Sequence, residues 1–66
     1  MQIQVNGESL EVGEQITLAE LVEQLELTGK RIAIELNLEI IPRSEHAGTR
    51  LNGGDQVEIV HAIGGG

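Results

Sequence analysis

The part of this chain best suited to chemistry is its end. Gly64, Gly65 and Gly66 follow directly on the alternating run Val57-Glu58-Ile59-Val60-His61-Ala62-Ile63. Three glycines offer no side chain to pack and lose the most backbone freedom on ordering, so they predict a slim, mobile, exposed tail. Its last group is the α-carboxylate of Gly66, and a protein that recognises a narrow tail could draw that carboxylate into an active site. With no cysteine in the chain, the terminus is the best candidate for a reactive group. A frayed end, as most domains have, stands beside that reading.

Other constellations carry less. His46 and His61 lie fifteen positions apart without the spacing of a helical ligand pair, so they read as solvent-exposed histidines, and no metal site is expected. Ser9, Thr17, Ser44 and Thr49 lack the context of a nucleophile. Gly53-Gly54 lacks the Lys-Ser or Lys-Thr of a phosphate-binding loop and reads as a turn. The acidic residues fall on solvated faces by pattern. No catalytic residue and no cofactor is expected within the chain.

Composition narrows the field further. Sixty-six residues make one small domain with a thin core, and without cysteine there is neither disulfide nor thiolate metal site to brace it. Eleven acidic residues stand against four basic ones, a net charge of −7, and Phe, Tyr and Trp are absent. Such a surface repels phosphate backbones and has no base-stacking platform, which argues against nucleic acid. It would instead be steered toward basic patches on partner proteins, or serve solubility alone. No stretch approaches the roughly 20 apolar residues of a membrane span. Met1-Gln2-Ile3-Gln4-Val5 has neither the basic nor the apolar region of a signal peptide. A cytoplasmic protein, monomeric when free, is the expectation.

The elements that must carry the tail follow from periodicity. Met1, Ile3 and Val5 alternate with Gln2 and Gln4 as in a half-buried strand. Asn6-Gly7 is a strong hairpin signal, because a type I′ turn needs positive φ at both central residues. Leu10 and Val12 then mark a returning strand that Gly13 ends. Thr17 and Glu20 have the spacing of a capping box, and Leu18, Leu21, Val22 and Leu25 form one face of a helix over residues 18–27. Gly29 is placed to stop it in the left-handed conformation. Ile32, Ile34 and Leu36 alternate as a third strand. Ile40-Ile41 reads as a short fourth, closed by Pro42, which suits an edge. Residues 43–50 look irregular, with room for one helical turn. Asn52-Gly53-Gly54-Asp55 is a turn into a last strand, 56–63. Leu18, Leu21, Val22, Leu25, Ile3, Val5, Ile34 and Val57 are the expected core.

The order β-β-α-β-β-β predicts an α+β domain over residues 1–63, a four- to five-stranded mixed sheet with one helix across one face, followed by the tail 64–66. The longest and most apolar strand, the last, belongs in the centre beside the first. By analogy with the ubiquitin-like β-grasp fold the two run parallel, and the tail projects from the middle of one end of the sheet.

Element order, length and terminal glycines together resemble the β-grasp sulfur carrier proteins, and among them the ThiS family of thiamine (thiazole) biosynthesis. Three segments carry the resemblance: Met1-Gln2-Ile3 through Asn6-Gly7, Leu36-Asn37-Leu38-Glu39-Ile40-Ile41-Pro42-Arg43, and Gly54-Asp55-Gln56-Val57-Glu58-Ile59-Val60 through Ala62-Ile63-Gly64-Gly65-Gly66. Two residues depart from that pattern. Leu38 stands where a small turn residue is usual, which predicts a turn looser than Asn-Gly. His46 stands where Trp is usual, so the contact of that ring must be replaced or absent.

The resemblance implies a carrier cycle in which Gly66 is adenylated and converted to a thiocarboxylate that donates sulfur to the thiazole ring. Its implied partners are an adenylating enzyme of the ubiquitin-activating kind, a sulfur-donor protein and a thiazole synthase. Gly64 and Gly65 would be the residues recognised in the tail. Behind them, Ile59, Val60 and Ile63 alternate between core and outer face, some forming an apolar dock flanked by acids such as Glu58. Val57 and Ile59 read as ordinary sheet core, and Ile63 as a partner contact. A small subunit of molybdopterin synthase, a protein modifier joined through Gly66 to lysine, and an interaction module with an inert tail remain as alternatives.

Overall fold

The computed structural model describes residues 1–61. Among them are five strands, β1 (Gln2–Val5), β2 (Glu8–Glu11), β3 (Ile32–Leu36), β4 (Glu39–Ile41) and β5 (Gln56–His61), one α-helix, α1 (Leu18–Gln24), and a 3-10 helix (Arg43–Gly48). The strands form one sheet in the order β2-β1-β5-β3-β4. β1 and β5 are parallel, with Gln4 opposite Gln56 and Val5 opposite Val57. The neighbouring pairs β1–β2, β3–β4 and β3–β5 are antiparallel. The central place of the last strand, its direction beside the first, and β4 at an edge are as the sequence predicts for a β-grasp sheet.

Local chemistry explains the elements. Asn6 and Gly7 both take positive φ, 52° and 84°, as the hairpin turn requires. The capping box is complete: the Glu20 amide donates to the Thr17 hydroxyl at 3.1 Å, and the Thr17 amide donates to the Glu20 carboxylate at 2.9 Å.

The helix stops earlier than residue 27. Leu25 is its cap, and Glu26 takes the left-handed conformation at φ 60°. The Leu27 amide then reaches back to the Val22 carbonyl (2.9 Å) and the Glu26 amide to the Glu23 carbonyl (3.0 Å), the paired bonds of a Schellman ending. The left-handed stop therefore falls on Glu26. Gly29, at φ 84°, shapes the turn that follows, where the Lys30 amide donates to the Leu27 carbonyl.

The core consists of Ile3, Val12, Leu18, Leu21, Ile34, Leu51, Val57 and Ile59, with Val5, Val22 and Leu25 packed at its margin. Five of the expected core residues are thus fully covered and three partly so. Leu51 was not expected there. It is buried because residues 49–51 return alongside the entry to α1, where the Leu51 amide bonds Ile16 and the Leu18 amide bonds Thr49. His46 is a correction to the exposed reading. It lies buried in the 3-10 helix, with Nε2 donating to the Ile41 carbonyl at 2.9 Å, so an imidazole with a satisfied polar edge fills that site. His61 is exposed.

Candidate functional site

The tail's origin is set by β5. Two strands flank it on each side in the sheet, and its far end, His61, sits opposite Ile32, the first residue of β3. β5 thus ends in the middle of one end of the sheet. Ile63, Gly64, Gly65 and Gly66, the residues singled out from the sequence, lie outside the described residues.

The exit is braced from the β1 side by a side chain. β1 ends at Val5, and the Asn6 amide makes one further backbone bond to the Val57 carbonyl, at 2.9 Å. The Asn6 carboxamide then takes over the ladder: Oδ1 accepts from the Ile59 amide at 2.8 Å and Nδ2 donates to the Ile59 carbonyl at 3.2 Å. At the other end of β5, Asn37 does similar work. Its Oδ1 accepts from the Gln56 amide at 3.0 Å, and its Nδ2 donates to Asp55 at 3.2 Å. Both asparagines sit at positive φ in their turns, so each serves a turn through its backbone and β5 through its amide group. The turn signal in the sequence marks the first role and says nothing of the second.

Alternation divides β5 as expected. Val57 and Ile59 are core, and Val60 is 59% exposed. On that outer face Val60 lies opposite Ala33, and Glu58 opposite Glu35, which in turn faces Ile40 across β3–β4. Ile40 is 72% exposed. Like charges directly opposite each other work against a sheet. This face thus offers apolar side chains beside an acidic pair. Near the exit, Lys30 and Arg31 precede Ile32 in sequence, and the Arg43 guanidinium donates to the Lys30 carbonyl at 3.0 Å.

The β3–β4 turn departs from expectation. Asn37 and Leu38 have φ 50° and 73°, both left-handed like Asn6-Gly7, so the turn keeps its tight shape and Leu38 bears the strain. Outside glycine that conformation costs roughly 1–2 kcal/mol. Among the described residues no group of three or more His, Asp or Glu is placed to hold a metal ion, and no helix is long and apolar enough to cross a membrane.

A model of the ThiS family matches residues 2–66, tail included. The chain belongs to the ThiS family. The crystal structure of a thiamine biosynthesis protein (ThiS) from Geobacter metallireducens superposes with a TM-score of 0.88 at 32% identity, covering all of both chains. The sulfur carrier protein ThiS of Escherichia coli is 33% identical over 66 residues, again the full length of each. A thiazole synthase of Paramagnetospirillum magneticum is 39% identical over the whole of this ThiS-family chain, which corresponds to 20% of that longer protein.

Proposed function

We propose that the chain is a sulfur carrier for thiamine biosynthesis whose working group is the Gly66 carboxylate. The observation that supports this most is the combination of a family match running through residue 66 with a last strand that leaves the middle of a braced sheet end. In this reading residues 1–63 are the body that partners recognise, and 64–66 are the reactive tail.

The chemistry follows from the reluctance of a carboxylate to accept a nucleophile. Reaction with ATP converts the Gly66 carboxylate to an acyl-adenylate and releases pyrophosphate. A persulfide on the sulfur donor attacks the acyl carbon, AMP departs, and a thiol cleaves the resulting S–S bond to leave the thiocarboxylate. That soft sulfur is then taken up by the thiazole-forming enzyme. Catalysis resides in the partners, and the carrier is a protein cosubstrate. Gly64 and Gly65 suit a narrow adenylation channel because they have no Cβ to collide with its walls. The Glu35–Glu58 pair with Val60 and Ile40 supplies a face that a cationic, partly apolar partner surface would match.

The test is intact-mass analysis after incubation with the cognate adenylating enzyme, ATP and a sulfur source. The expected result is a gain equal to one sulfur-for-oxygen exchange at the C-terminus. Deletion of Gly66, or one appended residue, should block it while the circular dichroism spectrum stays unchanged. An appended variant that supported thiazole formation with its extra residue intact would refute the carrier role. A thiocarboxylate that served only molybdopterin synthesis would leave the chemistry standing and move the pathway.

A further inference from the structure

The β3–β4 turn presents an apolar side chain that the fold does not use. Leu38 is 84% exposed, so it adds little burial, and its φ of 73° is one that glycine or asparagine adopts more easily. Its backbone is nonetheless held in place. The Asn37 amide donates to the Gln56 carbonyl at 2.8 Å, and the Asn37 side chain holds Gln56 and Asp55. Two residues on, Ile40 is also exposed. The exposed Glu39 lies between them, and Ile40 is in register with Glu35, which faces Glu58. An apolar pair on a fixed turn and the strand that follows it, with the Glu35–Glu58 pair alongside Ile40, is a preformed anchor with a charge requirement.

Its place is as telling as its composition. Leu36 lies opposite Val57 and Ile32 opposite His61, so Leu38 is at the end of the sheet remote from His61, after which the tail begins in sequence. A partner gripping Leu38 leaves the tail free to enter an active site elsewhere on the same enzyme. We propose that Leu38 and Ile40 form a second docking point for thiazole synthase, seated in an apolar cleft rimmed by lysine or arginine. The occupant is indicated by the Paramagnetospirillum relative, in which the equivalent of this chain is one fifth of a polypeptide named thiazole synthase. A carrier domain of this kind there shares a chain with the rest of that protein. The inference rests on the carrier reading above. Two-point attachment would raise the effective concentration of the tail at the enzyme without any tail contact being tight.

Binding of the full chain to the cognate thiazole synthase tests this, by calorimetry at low and high salt. Leu38→Gly and Leu38→Asn both suit the left-handed turn, and neither should lower the melting temperature. Each should weaken binding at least tenfold, about 1.4 kcal/mol, and Glu58→Lys, on the face that carries Ile40, should weaken it and flatten its salt dependence. Unchanged affinity in Leu38→Gly, or no binding of the unmodified chain, would overturn the proposal. The Gly66-deleted chain separates the two readings. If it cannot be thiolated yet binds the synthase and stays sensitive to Leu38→Gly, the anchor stands independently of the tail chemistry. If the unmodified chain forms a thiocarboxylate but ignores Leu38 changes, only the anchor falls.

Discussion

Replacing Asn6 with glycine should loosen the exit end of β5 on its β1 side, with its pairing to β3 kept, while leaving the hairpin turn undisturbed. Glycine accepts φ 52° at least as readily as asparagine, so the substitution removes the carboxamide and little else. Val57 and Ile59 direct their backbone polar groups toward β1, as alternate residues of a strand must. Past Val5 there is no further β1 residue to meet them, and Asn6 supplies both partners of Ile59. Two neutral hydrogen bonds contribute about 0.5–1.5 kcal/mol each, so the expected loss is roughly 1–3 kcal/mol. For a domain of this size each kcal/mol moves the melting temperature by about 4–8 °C. Thermal and urea unfolding measure the total, and native-state amide exchange locates it. The Ile59 amide should lose more protection than the global loss accounts for, while Ile34 and Val57 should fall by the global amount only. A loss below about 0.3 kcal/mol, which is inside the scatter of ordinary surface substitutions, would refute the reasoning. So would an Ile59 amide no more exposed to exchange than its neighbours.

Four further outcomes are expected. Leu21→Ala, at a fully buried position on α1, should cost about 2–5 kcal/mol in urea unfolding. Thr17→Ala removes one half of the capping box and should cost about 1 kcal/mol by the same measurement. Glu26→Gly should raise the melting temperature, because the residue at φ 60° would shed a strain of about 1 kcal/mol. Gly65→Val should impair thiocarboxylate formation in the mass assay while unfolding at the same urea concentration as the parent, since it leaves the described core untouched.

Much of the architecture was legible because its signals are local. Asn6-Gly7, the Thr17–Glu20 box and the period-two runs of Ile3–Val5, Ile32–Leu36 and Val57–Ile59 each specify structure within a few residues. What escaped depends on distant neighbours. Leu51 has no apolar periodicity around it, and its burial comes from pairing with Ile16. His46 reads as polar until the Ile41 carbonyl is placed beside its ring. Glu26 gives no hint that it adopts a conformation usually taken by glycine, because the choice is made by the packing of Leu25 and Leu27 behind it. The candidate site was legible as a direction, an outward Val60 following an inward Ile59. The acidic pairing of Glu58 with Glu35 and the exposure of Ile40 required the register of β3 between β4 and β5.

The central position of β5 also governs how this protein is born. Asn6 and Ile59 are 53 residues apart in sequence, yet the sheet is whole only when they meet. A chain emerging from the ribosome can close the β1–β2 hairpin and wind α1 early, but both halves of the sheet must wait for the last strand to join them. Such distant closure makes for comparatively slow folding. It also means that in a growing chain, or one broken before residue 57, the β1–β2 and β3–β4 pairs have no strand to join them. The two halves of the sheet thus become one body in a single event, the insertion of β5.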